Sequence, residues 1–589
     1  MIESRAERLL GHRRLPVFAA LLAALLCAPA LFTGWLHDDW VQQAMLRGLD
    51  VALPHQRPLT HFFAFLEGDP AVTGALRDVG VMPWWTPLDL RLCFFRPVTV
   101  LTHLFDHAVA PGSPVLAHAH NLLWLALVVL LAARLFGRLL PTPAVAGLAT
   151  LMYAVDESHG MPAAWVANRN ALIATALGLL TVWLHLRWRR DGRIAAAFAA
   201  PVMLALALLS AEGAIATTAW LFAFAVWLDA GPRRARLLSL VPYALVVIVW
   251  RAIYSALGYG ANGSGFYIDP LREPLAFVGA MLVRAPVLLA DQFLTLPSTP
   301  VTFLEQPGQI AAALFALGLL LTLARFAWRR LRGDATAAFF ATGLLLSVVP
   351  ICAVFPANRV LWFVGFGGAG LVALLLRRLG VLLLRPTEAP TPGRGARTLG
   401  RGLAALHLGL AALLLPANAL SVAWMDRTLF DPCAADIPFA PELAEQTVVL
   451  INSHELCASY ARFRRAVRGQ PVPGHVRLLA SRFADVDVLG VDAHTIELRP
   501  AGGFHAHPAD RFLRRPTDSL PLGQIIDLPG LRVTVTAVDD AGVVTAIEAR
   551  FDVPLTDPSL VWRVTRNNRL EPFTPPEPGA HIRVPAVLF

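Results

Sequence analysis

Apolar residues fall in long blocks, at about 15–36, 115–136, 142–155, 171–187, 194–210, 213–228, 237–257, 310–328, 335–355, 360–376 and 402–424. Blocks of that length predict α-helices near the span of a bilayer, about eleven in all. Several fall short of twenty residues, as helices packed inside a bundle do. Arg5, Arg8, Arg13 and Arg14 precede the first block. After it, every second connection carries arginines: Arg134 and Arg138; Arg187, Arg189, Arg190 and Arg193; Arg233, Arg234 and Arg236; Arg325, Arg329, Arg330 and Arg332; Arg377, Arg378 and Arg385. Positive residues mark the cytoplasmic side. The N-terminus is therefore expected in the cytoplasm and, with an odd number of spans, the C-terminal segment outside. No small-residue cleavage pattern separates the first block from Trp35, His37, Asp38 and Asp39, so it reads as a retained helix and not a signal peptide.

Two connections on the other side are long. Residues 37–114 hold interrupted apolar stretches near 61–65 and 98–104 that suit helices lying at the membrane interface. Residues 258–309 hold a Gly/Asn/Ser turn at 258–265 and then an amphipathic stretch at 270–296. The cytoplasmic linker 385–401, rich in Pro, Gly and Thr, reads as flexible. After about residue 430 the pattern shortens. Segments 447–452, 484–491, 495–498, 531–538, 543–551 and 560–564 read as strands between Pro, Gly and Asp turns. The expected organisation is an α-helical polytopic domain, 1–429, with long outer loops at 37–114 and 258–309, followed by a β-rich extracytoplasmic domain, 430–589.

Composition sharpens this picture. Of 589 residues 56% are hydrophobic and only 15% charged, which excludes an ordinary water-soluble enzyme. The net charge is +9 and every basic residue is Arg, with no Lys, a hint of a bacterial source and an inner membrane. Because the arginines sit in short clusters between apolar blocks, they read as topology and not as a nucleic-acid surface. Cys27, Cys93 and Cys352 are scattered without metal-ligand spacing. Cys433 and Cys457 fall in the outer domain, where they are either a disulfide or two free thiols. No P-loop, Rossmann glycine pattern or Ser-x-x-Lys nucleophile stands in its required context, which argues against ATP-driven pumping and nucleotide-sugar chemistry.

Ionisable residues near a bilayer are costly and mark a site or its support. Here they collect at the outer helix ends. Asp38 and Asp39 follow the first block; Arg96, His103, Asp106, His107 and His118 precede the second. Asp156, Glu157, His159 and Arg169 lie between the third and fourth, Glu212 at the turn between the fifth and sixth, and Arg359 at the start of the tenth. Carboxylates and guanidinium groups on one face supply a general base and a phosphate clamp; the alternative is solvated loop charges and helix caps. His103-x-x-Asp106-His107 has the spacing of metal ligands on one helical face. No ligand set is assigned, and a divalent metal is left open.

These positions resemble the GT-C superfamily of membrane glycosyltransferases, and within it the protein O-mannosyltransferase-like branch. The Asp38-Asp39 pair follows the first helix, then Phe95-Arg96-Pro97-Val98, Asp106, and His118-x-x-Asn121 opening the second. Ser158-His159, Ala164-Trp165 and Arg169 are similar to the family's His-x-x-His-x-Glu-x-x-x-Trp-x-x-x-Arg loop, and Ser210-Ala211-Glu212 to its Ser-Lys-Glu turn. Arg359, Trp362 and Gly367 fall where the family has an Arg, an aromatic and a Gly. The likeness covers about 15–425. Asp156 and Met161 replace the loop's first His and its Glu, Ala211 replaces the Lys, and a β-rich domain stands where some relatives carry a tetratricopeptide array.

The resemblance implies an inverting transfer from a polyprenyl-phosphate-linked sugar to a protein or glycan acceptor on the outer face. It gives Asp38 or Asp39 the role of base, with the other orienting it. Arg96, Arg169 and Arg359 become phosphate contacts, Glu212 and His159 supporting contacts, and Asp106, His118, Asp156 and Glu157 further lining of the substrate site. Two other readings fit the chain: a lipid-linked-glycan flippase, which predicts polar residues through the bundle midplane, and an inactive scaffold whose outer domain binds glycan or protein.

Overall fold

The computed structural model describes residues 5–49, 51, 58–382, 393–515 and 517–588. Each of the eleven apolar blocks contains a helix. Among the described residues, seven helices are long and apolar enough to cross a membrane: Leu15–Phe32, Pro114–Leu139, Val166–Asp191, Arg233–Ala256, Pro274–Leu294, Gln306–Leu331 and Arg394–Ala435. Pro143–Ala154, Ile194–Leu208, Glu212–Trp227 and Ala335–Ile351 are apolar but shorter. By this measure the chain is a membrane protein. Of these seven, Pro274–Leu294 lies outside the eleven blocks, and it takes up most of the stretch 270–296 expected as amphipathic. Of the linker 385–401, residues 385–392 lie outside the described residues, and helix Arg394–Ala404 takes up most of the remainder.

Chain contacts divide the molecule into two compact units. The first comprises the residues up to Trp35, Phe95–Leu257 and Pro270–Val422. Three of its helices begin behind a short polar cap, and in two of them a proline follows the cap. Ser113, Thr142 and Asp334 accept hydrogen bonds from the backbone N–H of the first turns that follow them, and Pro114 and Pro143 occupy positions that need no N–H. The core is aromatic. Phe366 stacks on Phe136 at 4.7 Å and meets the edge of Trp220 at 4.9 Å, with Phe339 and Phe340 beside them.

The second unit joins Leu36–Phe94, Gly258–Asp269 and Ala423–Phe589. The two outer connections therefore supply strands: β1 (Ala64–Glu67), β2 (Arg91–Cys93) and β3 (Gly260–Asn262) form an antiparallel sheet. The C-terminal stretch forms β4 (Thr447–Ser453), β5 (His475–Ser481), β6 (Val486–Gly490), β7 (Thr495–Pro500), β8 (Ile525–Leu528), β9 (Leu531–Val538), β10 (Val544–Phe551), β11 (Leu560–Arg566), β12 (Arg569–Pro572) and β13 (His581–Val584). One sheet has the order β12-β11-β4-β5, the other β13-β6-β7-β10-β9-β8. All six strands expected from alternation are present. β4 is parallel to both β5 and β11, and helix Cys457–Val467 makes the crossover between β4 and β5. Residues 77–80 lie along β5. The Arg477 guanidinium donates to the carbonyls of Arg77 and Asp78, and a Cβ on Gly80 would stand 1.8 Å from the Val476 carbonyl oxygen. Only glycine fits there. Cys433 and Cys457 are disulfide-bonded, with Cα atoms 5.3 Å apart, and Cys27, Cys93 and Cys352 are free and buried.

Candidate functional site

In the first unit the polar residues at the helix ends opposite the arginine clusters are held by hydrogen bonds, ion pairs and ring contacts. The first set lies at the turn before helix Thr217–Trp227. Glu212 Oε2 accepts from Arg96 Nη2 at 2.7 Å and Nε at 3.0 Å, and Tyr254 Oη donates to Glu212 Oε1 at 3.3 Å. Arg96 is held in place by the N-terminus of helix Pro97–Val109, where Val98 N–H bonds the Leu209 carbonyl and Thr99 Oγ1 bonds that of Ser210. The Asn170 amide, assigned from its hydrogen-bond network, turns its oxygen to Arg96 Nη1 at 3.1 Å.

Arg169, next in sequence, is fully buried. Its guanidinium pairs with Asp106 at 2.6 Å and donates to Asn121 Oδ1 at 2.6 Å, the Ala117 carbonyl at 2.9 Å and Thr102 Oγ1 at 3.2 Å. Asp106 also accepts from His120 Nδ1 at 2.7 Å, and Trp124 Nε1 donates to His120 Nε2 at 3.1 Å. That pair of bonds fixes His120 as the Nδ1–H tautomer. Asp106 thus faces Arg169 and His120, and among the described residues no group of three or more His, Cys, Asp or Glu converges as metal ligands. His118 Nε2 bonds the Gly34 carbonyl at 2.8 Å and ties the second long helix to the end of the first.

Asn121 in turn donates to the carbonyl of Trp165 at 3.2 Å. Over the Trp165 ring lies the Arg359 guanidinium, 5.6 Å from its centroid and 5.3 Å from that of Phe355. Among the described residues no carboxylate pairs with Arg359. Three residues on, Trp362 stacks on His159 at 4.1 Å, nearly parallel. Burial pushes His159 down to about 4, so its ring is neutral. Asp156 Oδ1 accepts from Ser158 N–H and Oγ, and Oδ2 from Gln292 Nε2 at 2.8 Å. Gly365 makes room for that bond: a Cβ there would meet Asp156 Oδ2 and Gln292 Oε1, each at 3.1 Å. Burial, with Asp156 and Asp291 nearby, pushes the Glu157 carboxyl up, and the Glu157 carbonyl accepts from Asn418 Nδ2 at 3.0 Å.

Arg96, Asp106, His118, Asp156, Glu157, His159, Arg169, Glu212 and Arg359 all belong to this first unit. Asp38 and Asp39 belong to the second. There they open helix Asp38–Leu46 in different environments. Asp39 is 1% exposed and its Oδ2 accepts the Leu36 N–H at 2.9 Å. Asp38 is half-buried, and Tyr460 Oη donates to its Oδ1 at 3.1 Å. His37, just before the pair, has φ of 45°, a conformation that costs a side-chain-bearing residue strain, and its N–H bonds Asp426 Oδ1 at 3.0 Å.

Sequence reading missed His120, Tyr254, Gln292 and Tyr460. Asp291-Gln292 at the end of an apolar stretch was a usable signal, as was the four-residue spacing of His120 and Trp124. Nothing local marks Tyr460, which lies 422 residues from its partner.

No protein-family model matches the chain, and no curated protein does. Solved structures do. The archaeal oligosaccharyltransferase AglB of Archaeoglobus fulgidus, in complex with an inhibitory peptide and a dolichol-phosphate, is 12% identical with a TM-score of 0.40, over 78% of this chain and 64% of that one. The Archaeoglobus fulgidus oligosaccharyltransferase tethered to an acceptor peptide is 13% identical with a TM-score of 0.41, over 80% and 64%. ArnT of Cupriavidus metallidurans, bound to undecaprenyl phosphate, is 12% identical with a TM-score of 0.38, over 78% and 89%. The chain thus spans under two thirds of the length of the archaeal enzymes it is similar to.

Proposed function

We propose that the protein is an integral-membrane glycosyltransferase of the GT-C type, in the protein O-mannosyltransferase-like branch. It moves a sugar from a polyprenyl-phosphate donor to a hydroxyl of a protein or glycan on the outer face of the membrane. The observation that carries this reading is the fate of three arginines. Arg96 is held by Glu212 and Arg169 by Asp106, whereas Arg359 has two aromatic rings and no described carboxylate. A guanidinium held in place without its own anion is a receptor for one. The lipid phosphate is that anion, and Arg96 and Arg169 with their acids set the frame around it. Glu212, His159, Asp156 and Glu157 support the frame; Asp106 and His118 tie its helices together.

In the transfer, the acceptor oxygen attacks the anomeric carbon from the face opposite the phosphate. The bond between that carbon and the phosphate oxygen breaks, and its electron pair leaves with the lipid phosphate. The hydroxyl proton passes to a carboxylate. Of the two carboxylates that the resemblance offers for this role, Asp38 is the half-buried one and is taken as the base. Asp39, spent on the Leu36 N–H, orients the turn. Charge grows on the leaving phosphate as the bond breaks, so Arg359 lowers the barrier more than it tightens ground-state binding.

The test is release of polyprenyl phosphate from a polyprenyl-phosphate-linked sugar by the purified full-length chain in lipid, with hydroxyl-bearing protein and glycan acceptors supplied to take up the sugar. Wild-type protein releases it with inversion at the anomeric carbon, and Asp38→Asn inserts and folds but releases it at least about a hundredfold more slowly. Undiminished release by Asp38→Asn would overturn the role of that carboxylate. No release by wild type across a panel of polyprenyl-phosphate sugars would overturn the function.

A further inference from the structure

Within the second unit, the candidate base is held by residues that lie nearly four hundred positions or more further along the chain. Tyr460 sits on helix Cys457–Val467 and donates to Asp38. Its phenol is buried, and burial beside Asp38 pushes its ionisation well above the ordinary range, so it serves only as a donor. Phe430 packs on Tyr460 at 4.7 Å and on the edge of His37 at 4.7 Å. One turn beyond Tyr460, the fully buried Arg464 pairs with Asp426 and with Asp431 at 3.1 Å, and lies 5.0 Å from the ring of Trp40, two residues after Asp38. Asp426 closes the circuit by accepting the His37 N–H. The first residue of the Tyr460 helix is Cys457, bonded to Cys433 on helix Pro432–Ala435. The strained backbone of His37 is thus held by Asp426 on its N–H and by Phe430 on its ring, which is how a costly local geometry persists.

We propose that Tyr460 is a positioning residue for the Asp38 carboxylate, and that the Cys433–Cys457 disulfide holds the helix that carries it, so that residues of the C-terminal part of the chain position the candidate base. This rests on Asp38 being the base. A hydrogen bond to the charged form of a carboxylate stabilises that form. Removing it raises the proton affinity of Asp38 and frees its orientation. A reacting group off its line of approach loses rate without losing substrate affinity.

Tyr460→Phe and the paired Cys433→Ser/Cys457→Ser variant, both full-length and in lipid, are compared with wild type in two assays. In the first, the acid limb of the transfer rate moves up by about one pH unit in Tyr460→Phe, with kcat down about tenfold and KM unchanged. A Tyr460 that only held the fold together would lower activity evenly at every pH. The second assay does not need turnover. A water-soluble carbodiimide with an amine couples to protonated carboxyls, and mass spectrometry reads the Asp38 peptide as a function of pH. The labelling midpoint of Asp38 rises by about one unit in Tyr460→Phe and in the same direction in the paired cysteine variant. Should Tyr460→Phe fail to fold, the cysteine variant gives the reading. Unchanged midpoints overturn the proposal. A shifted midpoint in a chain whose wild type transfers nothing overturns the function and leaves the Tyr460–Asp38 coupling standing.

Discussion

Replacing Arg169 with methionine tests the division of labour among the three arginines. The substitution keeps much of the side-chain volume and removes the charge. It strands Asp106 with His120 as its remaining described partner and leaves Asn121 Oδ1 and the Ala117 carbonyl without the donor they now share. Breaking a buried ion pair from one side costs roughly 3–5 kcal/mol, most of it the penalty of the charge left behind. At about 2 °C per kcal/mol for a unit of this size, the unfolding midpoint should fall by on the order of 6–10 °C. Adding Asp106→Asn removes the stranded charge and should return roughly 1–3 kcal/mol, so the double variant melts above the single one. The assay is thermal unfolding in lipid nanodiscs at one fixed heating rate, because the midpoint of an irreversible transition depends on that rate. Well below its midpoint, Arg169→Met should keep the wild-type KM for the lipid donor. A midpoint within about 1 °C of wild type, or a double variant no better than the single, would refute the reading of Arg169 as a buried strut.

Two further outcomes follow from the geometry. Arg359→Met should lower kcat/KM for the donor by about ten- to a hundredfold, the worth of a charge-assisted hydrogen bond, with little change in thermal midpoint; steady-state kinetics with a polyprenyl-phosphate sugar reads this. In the second unit, Glu455 and Asp510 are buried together, with Leu513 N–H on one and Ser481 Oγ on the other, and burial pushes both carboxyls up. The folded unit therefore keeps protons that the unfolded chain gives up near pH 4. Their stabilising contribution is full below that range and is lost as pH rises through the raised folded values. Buried His454 and His505, both pushed down to about 3, act in the opposite sense, but only below the ordinary histidine value of about 6.5. Above it the acids act alone. Unfolding of this unit, followed by hydrogen exchange of β4 and β5, should ease between pH 7 and 8.5, and Glu455→Gln should flatten the trend. A wild-type profile that rises with pH would contradict it.

Helices were legible because burial in a bundle asks only for an apolar block of sufficient length, and each of the eleven blocks contains one. Pro274–Leu294 was not, because Arg284, Pro286 and the closing Asp291-Gln292 break the run that the eye follows. Its polar positions turn inward instead: Arg284 bonds the Cys352 carbonyl and Gln292 bonds Asp156. β6, β7 and β9–β11 were legible from alternation. β5 was not, since His475 and Arg477 interrupt it, and Arg477 is buried only because distant carbonyls satisfy it. The same limit governs the site. That Arg96, Arg169 and Glu212 would gather at the helix ends was readable from charges beside a bilayer, but which acid takes which arginine depends on helix packing that no short motif encodes. Asp38 and Asp39 look equivalent in sequence. The fold separates them by exposure.

The second unit draws strands and ledges from three stretches of chain, and this has a bearing on biogenesis. A ribosome finishes residues 36–94 long before it reaches Arg477, whose guanidinium needs a carbonyl 400 positions earlier. Pairing across such separations is slow, and apolar edges wait exposed meanwhile. Trp84 and Trp85, buried in the finished unit, spend that interval without their final cover. Nascent chains halted before residue 423 should therefore be held by chaperones of the compartment that receives this unit.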